Sequence, residues 1–196
     1  MTGLDSAASY LIQTLGSLYL LVVLLRFILQ TVRADFYNPL TQFIVRATAP
    51  LLKPLRRVIP GFGGIDFASL LLALVIQAIL IGLLLGLAGG GMPGLLQIIV
   101  WSLVGITALF VKIFFFALII SVILSWVAPQ SQNPAALIVH QICEPLLAPI
   151  RRFLPSMGGL DLSPIFAFIA LRLVDMLLIT NLAIATGMPR GLTLAY

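Results

Sequence analysis

Two pairs of arginines are the residues of this chain best suited to chemistry. Arg56-Arg57 and Arg151-Arg152 each lie in a seventeen-residue segment that occurs twice, ninety-five residues apart, with ten identical positions. A guanidinium group donates two parallel hydrogen bonds and therefore suits phosphate and carboxylate groups. The repeated arginines predict a binding site for anionic lipid headgroups or for a protein partner.

Each copy of the segment keeps a set of prolines, two adjacent glycines and an aspartate. These are Pro50, Pro60, Gly63, Gly64 and Asp66 in the first copy, and Pro145, Pro155, Gly158, Gly159 and Asp161 in the second. Pro54 and Pro149 are also repeated, four residues after Pro50 and Pro145. Two prolines at this spacing disfavour a regular helix and predict a short helical turn in a bent path. The glycines permit positive φ angles, and the aspartate can cap the next helix.

Three roles for this segment stay open on the sequence alone. It could be a turn whose arginines set membrane topology, a binding site for anionic lipid or an internal Arg–Asp clasp, or a docking surface for a partner. Because any Lys or Arg would set topology, the repeated identity of ten residues weakens the first role.

A second group of ionisable residues lies within apolar stretches. Arg172 and Asp175 are three residues apart near the middle of a span, where they can form an ion pair on one helix. Transport sites usually lie at broken helices, and the apolar runs here are continuous, so a structural pair that holds the bundle is favoured over a proton or cation path. Arg26 and Lys112 are close enough to span ends to extend towards the headgroups.

The sequence lacks the groupings that enzymes use. His140 and Cys143 are the only histidine and cysteine, so neither a metal cluster nor an intramolecular disulfide is expected. The 11 Lys and Arg residues form no dense run, which argues against nucleic-acid binding. We therefore predict no catalysis and no cofactor.

Composition places these residues in a membrane protein. Hydrophobic residues make up 61% of the chain and charged residues only 9%. Four apolar runs have the roughly 20 residues that a membrane helix needs: Tyr10–Val32, Ile65–Ala88, Val104–Val127 and Leu162–Thr186. Leu95–Leu103 precedes the third run without a turn signal, so it is read as an interfacial extension or as part of a long tilted helix.

The duplication and a Gly-rich break divide the chain into residues 1–90 and 91–196. Each half reads as span, basic loop and span, so the two halves enter the membrane in the same direction. Asn38-Pro39 predicts the start of a short interfacial helix in the first loop, and Asn133-Pro134 in the second. The predicted fold is all-α, with four membrane helices in two parallel repeats. The glycines at four-residue spacing in the second span, Gly82, Gly86 and Gly90, fit either a homo-oligomer seam or packing within the bundle.

Charge distribution predicts the orientation. The two loops hold seven Lys and Arg residues and the opposite side holds Arg190 alone, which predicts cytoplasmic loops and outside termini. No Arg- and Ser-rich leader precedes the first span, so a bacterial inner membrane is favoured over an organelle.

The repeated pattern resembles the YggT family, also called YlmG. Asn-Pro, then Pro-Leu-Leu-x-Pro-[Leu/Ile]-Arg-Arg, then Gly-Gly-[Leu/Ile]-Asp carry the resemblance, which covers nearly the whole chain as two repeats. The second copy, with Glu144 and Pro164, matches more fully than the first. The resemblance implies a small inner-membrane protein without established enzymatic activity, with relatives linked to cell division, envelope organisation and osmotic stress. It thus implies an organising or assembly factor with lipid and protein partners. A transporter or channel that uses Asp175 is the alternative.

Overall fold

Among the described residues, four helical segments are long and apolar enough to cross a membrane: Gly3–Thr31, Phe67–Leu87, Leu95–Val127 and Ser163–Ala185. The last of these consists of two α-helices with a π-helical turn between them, and one further helix follows the first span of each repeat. The computed structural model describes residues 3–89, 91–128, 133–153 and 161–193. In chain order the helices are α1 Gly3–Thr31, α2 Pro39–Val58, α3 Phe67–Leu87, α4 Leu95–Val127, α5 Pro134–Phe153, α6 Ser163–Val174 and α7 Asn181–Ala185, with a π-helical turn Asp175–Thr180 between the last two. The predicted all-α fold of two parallel repeats is confirmed.

The loop helices are longer than predicted. We expected a short interfacial helix and then a bent proline turn, but α2 and α5 are each one helix of 20 residues with two internal prolines. The bent turn was therefore wrong. In α2, Pro50 and Pro54 are both exposed, whereas Thr41, Thr48 and Leu52 face the bundle. Prolines four residues apart lie on one face of a helix. The carbonyls that they leave unpaired are thus on the outer face, where water can bond them.

The third span is one uninterrupted helix of 33 residues that includes Leu95–Leu103. At 1.5 Å per residue it is about 50 Å long, more than the roughly 30 Å of a hydrocarbon core. Its counterpart α1 begins at Gly3 and has 29 residues. The extension is therefore a property of the first span of each repeat.

The core is built from small and branched side chains of the spans and the inner faces of α2 and α5. Five of these side chains are completely buried: Val23, Leu24, Ala73, Leu118 and, on α5, Cys143. Close approach between helices occurs at Gly16, where an added Cβ would lie 2.1 Å from a Leu80 methyl.

The predicted glycine seam does not take part in this packing. A Cβ at Gly82 would meet no atom within 4 Å, and the nearest atom at Gly86 is a Met92 methyl at 3.9 Å. Gly90 lies outside the described residues. Packing within the bundle therefore does not account for Gly82 and Gly86.

The end of the bundle away from α2 and α5 is closed by the segment that follows α7. The Trp101 indole N–H donates to the Thr186 carbonyl at 3.1 Å, and the Gln13 amide donates to the Gly191 carbonyl at 2.8 Å. Met188 and Leu192 are buried against α4 and the last span. This segment ties both repeats together at that end.

Candidate functional site

The helices α2 and α5 lie side by side at one end of the bundle, called here the loop end. The Asn38 amide donates to the Pro134 carbonyl at 2.7 Å, and the Asp35 N–H donates to Gln141 Oε1 at 3.4 Å. Asn38 also caps α2, since its side-chain oxygen accepts from the Leu40 N–H. The Asn-Pro pairs thus begin both helices, and the first one also links the two repeats.

In the first repeat, Arg56 and Asp66 form a clasp between α2 and the start of α3. The Arg56 guanidinium donates to the Asp66 carboxylate, which also accepts from the backbone N–H and the hydroxyl of Ser69. The Asp66 side chain is only 2% exposed. Burial would raise the pKa of Asp66, but the hydrogen bonds from Arg56 and Ser69 outweigh it and hold that pKa below its ordinary value.

Arg56 also reaches the first span. It donates to Gln30 Oε1 at 2.6 Å, so a single guanidinium connects α1, α2 and the N-terminus of α3. The chain between α2 and α3 turns at Gly63 and Gly64, with φ angles of 63° and 85°. Nothing lies within 4 Å of a Cβ built at either glycine, so backbone conformation rather than space calls for glycine here. The connection brings Asp66 to Arg56.

The second repeat forms a more open clasp. Arg151 Nε donates to Asp161 Oδ2 at 2.9 Å, and its Nη1 donates to Glu144 Oε2 at 3.1 Å. The side chains of this trio are 44–57% exposed. Burial would raise the pKa of Asp161, but the bonds from Ser163 and Arg151 outweigh it and lower that pKa. Pro155, Gly158 and Gly159 lie outside the described residues.

The two arginines of each pair have different environments, although the sequence presented them as equivalent. Arg56 and Arg151 are held by carboxylates, whereas Arg57 and Arg152 are exposed and form no ion pair within the described ranges. The predicted internal Arg–Asp clasp and the predicted binding arginines therefore fall on successive residues of the same motif.

The pair within the membrane lies on the outer surface of the bundle. Arg172 Nη1 donates to Asp175 Oδ2 at 2.7 Å, and the two side chains are 73% and 32% exposed. The ion pair lies within one helix, so it does not join helices of the bundle as we expected. Asp175 also begins the π-helical turn Asp175–Thr180, and the last span stays helical through it from Ser163 to Ala185. Single π-helical turns within α-helices are frequent at functional sites.

The histidine and the cysteine, which have reactive side chains, differ in their exposure to solvent. His140 is exposed on α5, whereas Cys143 is fully buried and its thiol pKa is raised by burial to about 11. Within the described part of the chain, no group of three or more His, Cys, Asp or Glu side chains could hold a metal ion.

Sequence reasoning missed a cavity of about 340 Å³ between the end of α1 and the first turns of α2. Arg26, Arg33 and Arg56 all line it, together with Gln30 and Thr41. We expected Arg26 to extend freely towards the headgroups, but it is half-buried and its Nη1 donates to the Thr48 hydroxyl at 3.3 Å. The sequence does contain one indication of this cavity: Arg26 and Gln30 are four residues apart, which places both on one face of α1.

The fold and the paired clasps define an all-helical, multi-pass membrane protein made of two similar halves. The chain matches the CCB3/YggT family over residues 6–87 and 100–182. It belongs to this family, and the predicted resemblance is confirmed.

Bacterial relatives match most of the chain. It is 68% identical over 195 residues to "Uncharacterized protein PA0392" of Pseudomonas aeruginosa, with 99% of each chain covered. It is 40% identical over 171 residues to "Uncharacterized protein YggT" of Escherichia coli K12, covering 86% of this chain and 87% of that one. A 65-residue stretch is 38% identical to "YlmG homolog protein 2, chloroplastic" of Arabidopsis thaliana, covering 32% and 24%. No solved structure matches the chain.

Proposed function

We propose that the protein is a non-enzymatic organising or assembly factor of the bacterial inner membrane, in envelope maintenance, cell division or the biogenesis of a membrane complex. It acts through the loop end of the bundle, which the distribution of Lys and Arg assigns to the cytoplasm. The observation that carries the proposal is the exposure of Arg57 and Arg152 beside clasped neighbours in both repeats.

The physical argument rests on rigidity. Clasps at Arg56 and Arg151 fix the ends of α2 and α5, and the Asn38–Pro134 bond holds these helices together. The exposed arginines therefore project from a preorganised surface, which reduces the entropy lost when a partner or lipid headgroup binds. A structural turn alone would need no exposed cation at the same position of both repeats.

The test separates the two arginines of each motif. We expect the double variant Arg57→Gln/Arg152→Gln to keep its melting temperature in detergent and to lose crosslinking to its partners in native membranes. The crosslinks are read from a photoreactive residue at Val58 or Phe153, which are 79% and 87% exposed. Arg46→Gln/Lys53→Gln is the matched control, with the same charge change on exposed positions of α2. Equal crosslinking in both double variants and the wild type would refute the proposal.

Transport through the region of Asp175 is a second candidate, favoured by the π-helical turn that begins at this residue. A carboxylate in the membrane next to an irregular helix is a common element of ion pathways. Proteoliposomes with Asp175→Asn and with the Arg57→Gln/Arg152→Gln variant distinguish the candidates. Ion flux that is present in the wild type and lost only with Asp175→Asn would support transport and oppose the organising function.

A further inference from the structure

The cavity at the end of α1 carries more positive charge than the protein neutralises. Arg26, Arg33 and Arg56 line it. Of these three arginines, Arg56 forms an ion pair with the carboxylate of Asp66. Asp35 is in the same connection, but its Oδ1 accepts from the Tyr37 N–H at 2.9 Å. Within the described residues, neither Arg26 nor Arg33 forms an ion pair. The cavity therefore favours an anion.

Two buried polar atoms of residues that line the cavity lack a hydrogen-bond partner in the described structure: Arg26 Nε and Thr41 Oγ1. Thr41 is only 6% exposed. Buried donors are nearly always paired in proteins, so a pair of unsatisfied donors beside one cavity is unusual. An oxygen-rich anion such as phosphate could accept from both, and Arg33 could reach it from the exposed side.

An apolar groove of about 790 Å³ adjoins this cavity, and both are lined by Leu29 and Ile44. The groove lies between α1, α2, α4 and α5, and Lys112 is the one charged side chain among the described residues that line it. Along α1 it extends from Leu21 to Leu29, about 12 Å at the helical rise of 1.5 Å per residue. This length suits part of an acyl chain that descends from the headgroup layer.

We propose that the two cavities together bind one anionic phospholipid, with its phosphate among Arg26, Arg33 and Thr41 and an acyl chain in the groove. A soluble phosphate would use only the first cavity, whereas the adjoining groove is accounted for by a lipid. The inference goes beyond the proposed organising function, because the exposed arginines Arg57 and Arg152 do not line either cavity.

The anion cavity is lined by residues of the first repeat. The second-repeat counterparts of Arg26, Arg33 and Thr41, ninety-five residues later, are Ser121, Ala128 and Ala136. The repeat therefore explains the clasp, which both halves share, but not the anion cavity. One bound lipid per chain is the expected stoichiometry.

The test uses purified, delipidated full-length protein in a neutral detergent. Native mass spectrometry and the lipid-induced rise in melting temperature are recorded with dioleoyl-phosphatidylglycerol, dioleoyl-phosphatidylcholine and inorganic phosphate. We expect one phosphatidylglycerol per chain, bound more tightly than phosphatidylcholine, and no rise in melting temperature with equimolar inorganic phosphate. A response to inorganic phosphate equal to that for phosphatidylglycerol would overturn the lipid assignment.

Two variants locate the site. Arg33→Gln and Thr41→Val should each weaken phosphatidylglycerol binding roughly tenfold, the effect of losing a hydrogen bond to a charged group. Arg46→Gln is the matched control, because it removes one exposed charge from α2 outside both cavities, and it should bind like the wild type. An equal loss with Arg46→Gln would indicate diffuse attraction and overturn the site.

Thr41→Val also carries a signature that a structural role would not produce. Because Thr41 Oγ1 lacks a described partner, the lipid-free variant should melt no lower than the wild type while its lipid-induced rise is reduced. A lower lipid-free melting temperature together with a normal lipid-induced rise would refute the assignment of Thr41. Crosslinking through Val58 in the same variant reports separately on the organising function, so failure of one proposal is distinguishable from failure of the other.

Discussion

Replacement of Asp66 by asparagine tests whether the first clasp stabilises the fold. Asparagine is nearly as good an N-cap as aspartate, so the change preserves the start of α3 and removes mainly the charge. The lost charge is opposite Arg56, and the Asp66 side chain is 2% exposed. The experiment therefore isolates the ion pair from the helix cap.

The expected size of the effect follows from burial. Removal of one partner of a buried ion pair costs about 3–5 kcal/mol. Arg56 is 35% exposed and keeps its bond to Gln30, which lowers the expected loss to about 2–3 kcal/mol. Asp161→Asn is the matched control, because Arg151 and Asp161 are 44% and 45% exposed and Arg151 keeps Glu144. For this exposed pair we expect a loss of about 0.5 kcal/mol.

The assay is reversible unfolding in mixed micelles, with both variants and the wild type measured in one detergent series. The free energy of unfolding of Asp66→Asn should fall several times further than that of Asp161→Asn. Equal losses in the two variants would refute the reasoning, because burial is the property in which the clasps differ most.

Three further predictions concern the loop end. Since the pKa of Asp66 is lowered by its hydrogen bonds in the fold, the stability it contributes is complete above its unfolded pKa of about 4 and is lost as the pH falls through the folded value. The difference in unfolding free energy between wild type and Asp66→Asn should thus be constant from about pH 5 to 8 and shrink below about pH 4; a constant difference at lower pH would contradict this. Cys143, buried and with its pKa raised to about 11, should react with maleimide far more slowly in native membranes than after unfolding, and equal rates would show that α5 is not packed as described. In a Cys143→Ala background, Phe153→Cys should be shielded from an impermeant outside reagent while Met92→Cys reacts, and the reverse pattern would overturn the cytoplasmic assignment of the loops.

Much of the fold followed from composition and repetition. Apolar runs of sufficient length identified the four spans, and the ninety-five-residue repeat placed both loops at one end. Periodicity gave the inner face of α2 at Ile44, but the prolines at Pro50 and Pro54 predicted an end to the helix that does not occur. A proline inside a helix is expected to end it because it removes one backbone hydrogen bond and leaves a carbonyl unpaired. The rule failed here because both prolines are on the exposed face.

The site was predictable only in part. The motif gave Arg56 and Arg151 and their aspartates, and helix capping gave Asp66, but the sequence could not show which arginine of each pair is clasped. That choice depends on the direction in which successive helical residues point, about 100° apart, relative to the bundle. The anion cavity needed tertiary structure, because Arg26 and Thr41 are brought together by the packing of α1 on α2.

Divergence between the repeats gives the loop end an uneven charge. In the first repeat, Gln30 supports Arg56 and the clasp of one arginine and one aspartate is neutral. In the second repeat, Ser125 stands in place of Gln30, and Glu144 in place of Ala49 adds a second carboxylate, so the clasp is negative by one charge. The first half, with Arg26 and Arg33, is the side that attracts anions. The two repeats thus place a neutral clasp and a negatively charged clasp on the same surface, which a single repeat could not do.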